Sequence, residues 1–258
     1  MLNIAEPSIQ SLFIVPMYNG RKLGQGTGFV VQYGGIPYLI TNYHIAVGRD
    51  PNDGQPMHGS GAAPDVLEVM QMIPAGGGAR SWQPRKERVL EVGTERALWL
   101  HHPIYGRSVD VVALPLQNAG GAELHPYDIC DQAPNLRIGP AEGVSIVGFP
   151  FGYTGGSGFA IWTRGFIASE PDVDLNGLPR FLIDARTRRG QSGSPVIAYN
   201  TNGVNPVQGG VSFSSRPVIQ LLGIYSGRIN EESDLGYVWK VRTIEEILLA
   251  QEPGKSGL

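Results

Sequence analysis

The chain has 258 residues, 41% of them apolar and 17% charged, enough for a sizeable core in one two-lobed unit or two small domains. A formal net charge of −3 argues against nucleic-acid binding and against attraction to an anionic membrane. Gly 36 and Pro 20 together come to nearly twice the average share of about 12%, and long helical patterns are scarce, so an all-β fold rich in turns is predicted.

The opening "MLNIAEPSIQSLFIVPMYNG" carries no Lys or Arg, and its apolar run is short and broken by Pro16, so it reads as a first strand and not as a secretory leader. "SLFIVPMY" and "GTGFVVQY" are rich in β-branched and aromatic residues and predict strands. "GFVVQYGGIPYLITNYH" predicts a hairpin, with Gly34 and Gly35 supplying the positive φ of a tight turn. A loop follows from Arg49 to about Asp65, and then "DVLEVMQMI", "RVLEVGTERALWLHH" and "VDVVALPL" read as strands. "RKER" at 85–88 reads as a solvated face. The weakly patterned residues 119–140 read as a linker between lobes. They hold Cys130, the sole cysteine, so no intrachain disulfide forms, which fits a reducing compartment.

Strand signals resume with "GVSIVGFP", "GFAIWTRGFIAS", "PRFLIDA", "SPVIAY" and "PVIQLLGIYSG". Thr243 is placed to cap a short amphipathic helix with Ile244, Ile247, Leu248 and Leu249 on its apolar stripe, and "EPGKSGL" reads as a frayed tail. Two groups of about six strands predict two packed six-stranded antiparallel β-barrels and a short C-terminal helix: residues 9–118 as the first, residues 141–250 as the second with the helix, and 1–258 as a single unit. No apolar run reaches the roughly 18 residues of a membrane helix. A soluble cytoplasmic protein with no membrane partner is the expectation.

The chemistry-bearing stretch is "RRGQSGSP", residues 188–195, where Ser192 stands between residues with little side chain. A serine hydroxyl attacks only with a base to take its proton, a group to orient that base, and donors for the developing oxyanion. "YLITNYHIAV" offers His44 as the base. "SVDVVALPL" offers Asp110, a carboxylate that is costly to bury against a β run without a partner. Gly190 has no side chain to block its N–H.

Together "TNYHIA", "DVVALPL" and "GQSGSPV" resemble the histidine, aspartate and serine motifs of the trypsin-like (chymotrypsin-fold) serine peptidases, in that family's His, Asp, Ser order. The likeness covers nearly the whole chain: "GTGFVV" resembles a first-barrel strand, "VSIVGFPFG" and "IWTRGFIAS" second-barrel strands of HtrA-like enzymes, and "LLGIYSGR" the strand that lines the substrate. The Ser-Pro ending is similar to that of bacterial glutamyl endopeptidases. The resemblance implies a serine endopeptidase of protein or peptide substrates that uses no cofactor, with Ser192 as nucleophile, His44 as base, Asp110 as orienting acid, and the N–H groups of Gly190 and Ser192 as oxyanion hole.

By the same resemblance Arg186, six residues before the nucleophile, closes the pocket for the side chain before the cut bond. That implies a preference for acidic residues, with Thr187 helping to read them and Tyr225 standing where glutamyl endopeptidases place a histidine. Ser226 and Arg228 would pair with the substrate backbone by β-addition. Gln191 replaces the aspartate through which zymogen-type trypsins are activated, so that activation is not expected. The rival expectation is a double-barrel binding protein that is silent, or latent until a protein activator orders loops such as "GYTGGSG" at 152–158. "GQGTGF" is read as a strand beginning and not as a nucleotide loop. His101, His102 and His125 are read as solvated loop residues, since their spacing fits no metal motif. Arg186, Arg188 and Arg189 form either a basic surface patch or a substrate contact.

Overall fold

A computed structural model describes residues 4–129, 136–201, 203–207 and 209–255. Cys130, part of the expected linker and the last three residues lie outside these. After a short helix α1 (Pro7–Gln10), the N-terminal half comprises β1 (Ser11–Tyr18), β2 (Arg21–Lys22), β3 (Gly26–Tyr33), β4 (Ile36–Thr41), helix α2 (Tyr43–Val47), β5 (Val66–Pro74), β6 (Arg80–Arg88) and β7 (Val112–Pro115). The C-terminal half comprises β8 (Gly143–Gly148), β9 (Ile161–Ile167), β10 (Arg180–Ala185), β11 (Pro195–Asn200), the hairpin β12 (Val204–Val207) and β13 (Gly210–Phe213), β14 (Val218–Arg228), β15 (Leu235–Lys240) and helix α3 (Val241–Ala250).

The all-β, chymotrypsin-like architecture is as expected, and the two halves close differently. The C-terminal half is a closed six-stranded barrel in the order β10-β15-β14-β11-β8-β9, whereas the N-terminal half is a seven-stranded sheet in the order β6-β5-β1-β3-β4-β7 with β2 on β1. The hairpin of β3 and β4 forms in the expected register, Tyr33 opposite Ile36, with Gly34 and Gly35 at φ 57° and 81°. A β-carbon is disfavoured at such φ, which is why the turn holds two glycines.

Phe29, Phe149, Ile224 and Trp239 pack in one cluster with Ile244, Ile247 and Leu248 of α3, so one core is shared by both halves. Burying each such side chain stabilises by about 1.5–3 kcal/mol. Helix α3 packs on both β7 and β14. Its N-cap is Lys240 and not Thr243, whose buried hydroxyl donates to Pro179 O at 3.4 Å. Leu249 is 69% exposed and lies off the apolar stripe.

Three further expectations need correction. "RVLEVGTERALWLHH" forms only isolated bridges beyond the end of β6, Leu90 to Ala97 and Leu100 to Ala113, whereas the segment at 85–88 is a strand with Lys86 and Arg88 exposed and Glu87 buried. Residues 252–254 are not frayed: Gly254 N donates to Trp99 O at 2.8 Å, and Pro253 bridges Leu100. His101 and His102 are buried: His102 Nε2 lies 2.7 Å from Glu246 of α3, and the amides of Ile104 and Tyr105 donate to its Nδ1. Among the described residues no cluster of His, Cys, Asp or Glu could hold a metal ion, and no helix is long and apolar enough to cross a membrane.

Candidate active site

His44 is set by the end of β4. The strand runs out at Thr41, and α2 begins after the single residue Asn42, setting the imidazole between buried Tyr43 and Ile45. Asp110 lies two residues before β7, in a segment whose neighbours Val109 and Val111 are fully buried. Pairing of β4 with β7, Thr41 opposite Val112, brings the two residues together.

His44 Nδ1 lies 2.7 Å from Asp110 Oδ2, and the backbone N–H of His44 donates to Asp110 Oδ1 at 2.9 Å. The Asn42 amide donates to Asp110 O at 2.7 Å, and the Ser226 hydroxyl donates to Asp110 Oδ2 at 2.5 Å. A carboxylate only 3% exposed is thereby satisfied at both oxygens, which is what its burial requires. Burial pulls the His44 imidazole down, but the charge of Asp110, its hydrogen bond and the charge of Asp50 outweigh it and raise the group above the usual histidine value.

Ser192 stands on a loop between β10 and β11 whose backbone is heavily braced. Its carbonyl accepts from Thr27 N at 2.8 Å, Gly193 N donates to Tyr225 O at 2.8 Å, and Tyr225 N donates to Ser194 O at 2.9 Å. The Thr27 hydroxyl donates to Gly190 O at 2.8 Å, joining the loop to the N-terminal sheet. The Ser192 hydroxyl itself donates to Ser226 O at 3.0 Å. Gly190 adopts φ 95°, and a β-carbon there would come within 2.4 Å of Phe149 O. Phe151 N holds the Arg189 carbonyl at 2.6 Å, which turns that oxygen away, while the N–H groups of Gly190 and Ser192 donate to no acceptor among the described residues.

Gln191 is fully buried, and its amide accepts from Arg188 N and donates to Thr163 Oγ1, both at 2.7 Å. The loop is thus held by a neutral side chain where the activated trypsins use an ion pair.

The residues expected to read the substrate are arranged differently. Arg186 is exposed and does not close a pocket, because alternation along β10 and its exit turns residues 184 and 186 outward and 185 and 187 inward. Arg188 donates to Thr187 O at 2.7 Å, and exposed Arg228 to Glu231 O at 2.8 Å. Thr187 is buried, with its hydroxyl 2.5 Å from the Tyr225 hydroxyl. The Tyr225 ring lies against Gly236, where a β-carbon would fall 2.5 Å from its Cε2. Burial pushes the Tyr225 hydroxyl up, with the Thr187 hydrogen bond pulling the other way, so it stays a neutral O–H. Pairing of β14 with β11 ends at Ile224, while β15 covers residues 227 and 228, so among the described residues one edge of 226–228 has no strand on it and only Ser226 O is engaged, by the Ser192 hydroxyl.

His44, Gly190 and Ser192 open on a cleft of about 560 Å³ between α2, the β2–β3 connection and the loop at 57–64. Thr27, Asn42, Thr163 and Gln191 were the residues that sequence reasoning did not assign to the site. Their only signal is that polar residues flank the motifs at positions the strand pattern buries.

A family model described as the trypsin-like peptidase domain matches residues 26–204, which hold His44, Asp110 and Ser192. The chain belongs to that family. It is therefore a serine-type peptidase. The Rv3671c protease of M. tuberculosis in its active form is similar at 18% identity and a TM-score of 0.50, over 98% of this chain and 85% of that one. A serine endoprotease from Yersinia pestis is similar at 16% identity and a TM-score of 0.51, over 98% of this chain and 70% of that one. These two likenesses concern the fold alone. No curated protein matches the chain.

Proposed function

We propose that the protein is an endopeptidase in which His44, Asp110 and Ser192 act as one unit. The observation that carries this reading is the 2.7 Å contact between His44 Nδ1 and Asp110, beside Ser192 on the wall of one cleft. Rotation about χ1 takes the Ser192 hydroxyl from Ser226 O towards His44 Nε2. The imidazole then accepts the proton as Oγ bonds to the scissile carbonyl carbon, and returns it to the leaving amine as the C–N bond breaks. Water attacks the acyl-enzyme by the same proton path and frees Ser192.

Asp110 holds the tautomer with hydrogen on Nδ1 and stabilises the imidazolium as it forms. The N–H groups of Gly190 and Ser192 take the oxyanion, each worth about 3 kcal/mol in the transition state. The free edge of 226–228 receives the substrate backbone on the acyl side.

Thr187 and Tyr225 set the depth of the pocket on that side. The Tyr225 ring over Gly236 fills the space where a long side chain would go, and the two hydroxyls satisfy each other. With Arg186 exposed, the guanidinium expected to favour an acidic residue does not close the pocket, so a short side chain before the cut bond fits best.

A fluorophosphonate probe tests the central assignment. Stoichiometric adduct on the peptide containing Ser192, lost in Ser192→Ala, is the expected result. An unlabelled wild type, or adduct on another residue, would overturn it.

A further inference from the structure

We infer that the cleft beside His44 is a binding subsite for the part of the substrate that leaves, selecting an apolar residue directly after the cut bond and a carboxylate within the next two residues. The inference rests on the proposed peptidase reading and adds the substrate class to it. No residue of β14, the strand beside the acyl side, lines this cleft; apart from 189, 190 and 192, its walls come from the N-terminal half. Peptide chain leaving Ser192 away from β14 therefore enters it.

The floor next to His44 is apolar. Buried Ile45 and Pro16 line it, with Leu23 from the β2–β3 connection and Met57 from the loop at 57–64. Met57 is 55% exposed, an unbranched apolar side chain free to close over a bound group. Against so open a volume, the acyl-side pocket filled by Tyr225 is narrow, so selection by size shifts to the leaving side.

The rim is cationic. Lys22 stands over the cleft with its ammonium on Gln25 Oε1 at 3.1 Å, and exposed Arg189 flanks Gly190 on the same rim. His58 faces it from the opposite loop, with Nδ1 engaged by Ser60. None of the described residues lining the cleft carries a carboxylate. Positive charge with no ion-pair partner among the described residues, at the mouth of an apolar pocket, favours a carboxylate beyond an apolar residue. An opposite order, acid first and apolar second, would put the charge against Ile45 and Leu23 without a partner.

Acyl transfer isolates this subsite from the acyl side. A short ester substrate occupies only the acyl pocket. The acyl-enzyme then partitions between water and an added dipeptide amide, Leu-Glu, Leu-Lys or Gly-Glu, whose capture depends on the cleft. Leu-Glu amide is expected to capture about tenfold more acyl group than Gly-Glu amide, and severalfold more than Leu-Lys amide. Lys22→Glu should reduce or invert the Glu-over-Lys ratio, a quantity in which any change in acylation rate cancels. Equal capture of all three, or an unchanged ratio in Lys22→Glu, would overturn the subsite.

If Ser192→Ala still hydrolysed the ester, the nucleophile assignment would fail on its own. Perturbation of the Met57 methyl resonance of that variant by a Leu-Glu peptide, but not by a Gly-Lys peptide, would still uphold the subsite. No difference between the two peptides would overturn it.

Discussion

The two halves contribute to the site in different ways. The N-terminal sheet delivers a finished pair: His44 and Asp110 are joined through side chain and backbone, and Asn42 fixes the carboxylate's own backbone. The C-terminal barrel delivers a loop whose backbone is braced by Thr27, Tyr225 and Gln191, yet whose reactive hydroxyl holds a single carbonyl. On the proposed reading, the acid–base pair gains from being rigid before substrate arrives, because its tautomer must be right. The proposed nucleophile has to move, so rigidity is put into the amides around it.

That contrast can be broken most severely at its mobile end. Ser192→Ala should lower peptidase kcat by about 10⁶-fold, measured on an unstructured protein substrate, with the melting temperature unchanged. At the rigid end, Asp110→Asn should cost about 10⁴-fold in kcat. It should also move the acid limb of kcat/KM to lower pH, because burial, which pulls His44 down, is then opposed only by Asp50.

Gly193→Ala tests the braced backbone. At φ 86° a β-carbon would lie 1.9 Å from Thr27 O, so a loss of about 3 kcal/mol or more is expected by denaturant unfolding, together with loss of probe labelling. Tyr225→Val should leave the triad groups in place and open the acyl pocket, improving kcat/KM for a long residue before the cut bond relative to alanine by about 10- to 200-fold.

The smallest effect concerns pH. Because His44 is raised in the folded protein, activity should reach half its plateau above about pH 6.5, as the imidazole loses its proton. The same shift makes the pair's contribution to stability complete below the unfolded value and lost as pH rises through the folded one. Wild-type activity should rise through that window while melting temperature, compared with His44→Gln, declines.

Strands with two buried faces or clean alternation were legible in the sequence: "SLFIVPMY" and "GTGFVVQY" coincide with β1 and β3. β6 was not, because it lies at the sheet's end, pairs only with β5, and buries little besides Glu87. "RVLEVGTERALWLHH" misled for the opposite reason: Val89, Ala97 and Trp99 are buried without a ladder, in chain turned by Gly93 at φ 76°. His44, Asp110 and Ser192 could be picked out because each sits in a short motif of its own. The contact of His102 with Glu246, and that of Tyr225 with Thr187 and Gly236 on which the proposed acyl pocket rests, join partners that no local pattern announces.

The Thr27 links carry a consequence for synthesis. The peptide chain emerges from the ribosome with His44 and Asp110 first. Ser192, which Thr27 N holds by its carbonyl, follows more than eighty residues after Asp110, and Ser226, which completes the carboxylate's shell, comes later still. On the proposed reading, a nascent chain therefore has a base with nothing to activate, and a newly emerged serine loop gains its Thr27 braces only when both halves have docked. The site assembled on that reading therefore waits for Ser226 and for the contact between the two halves.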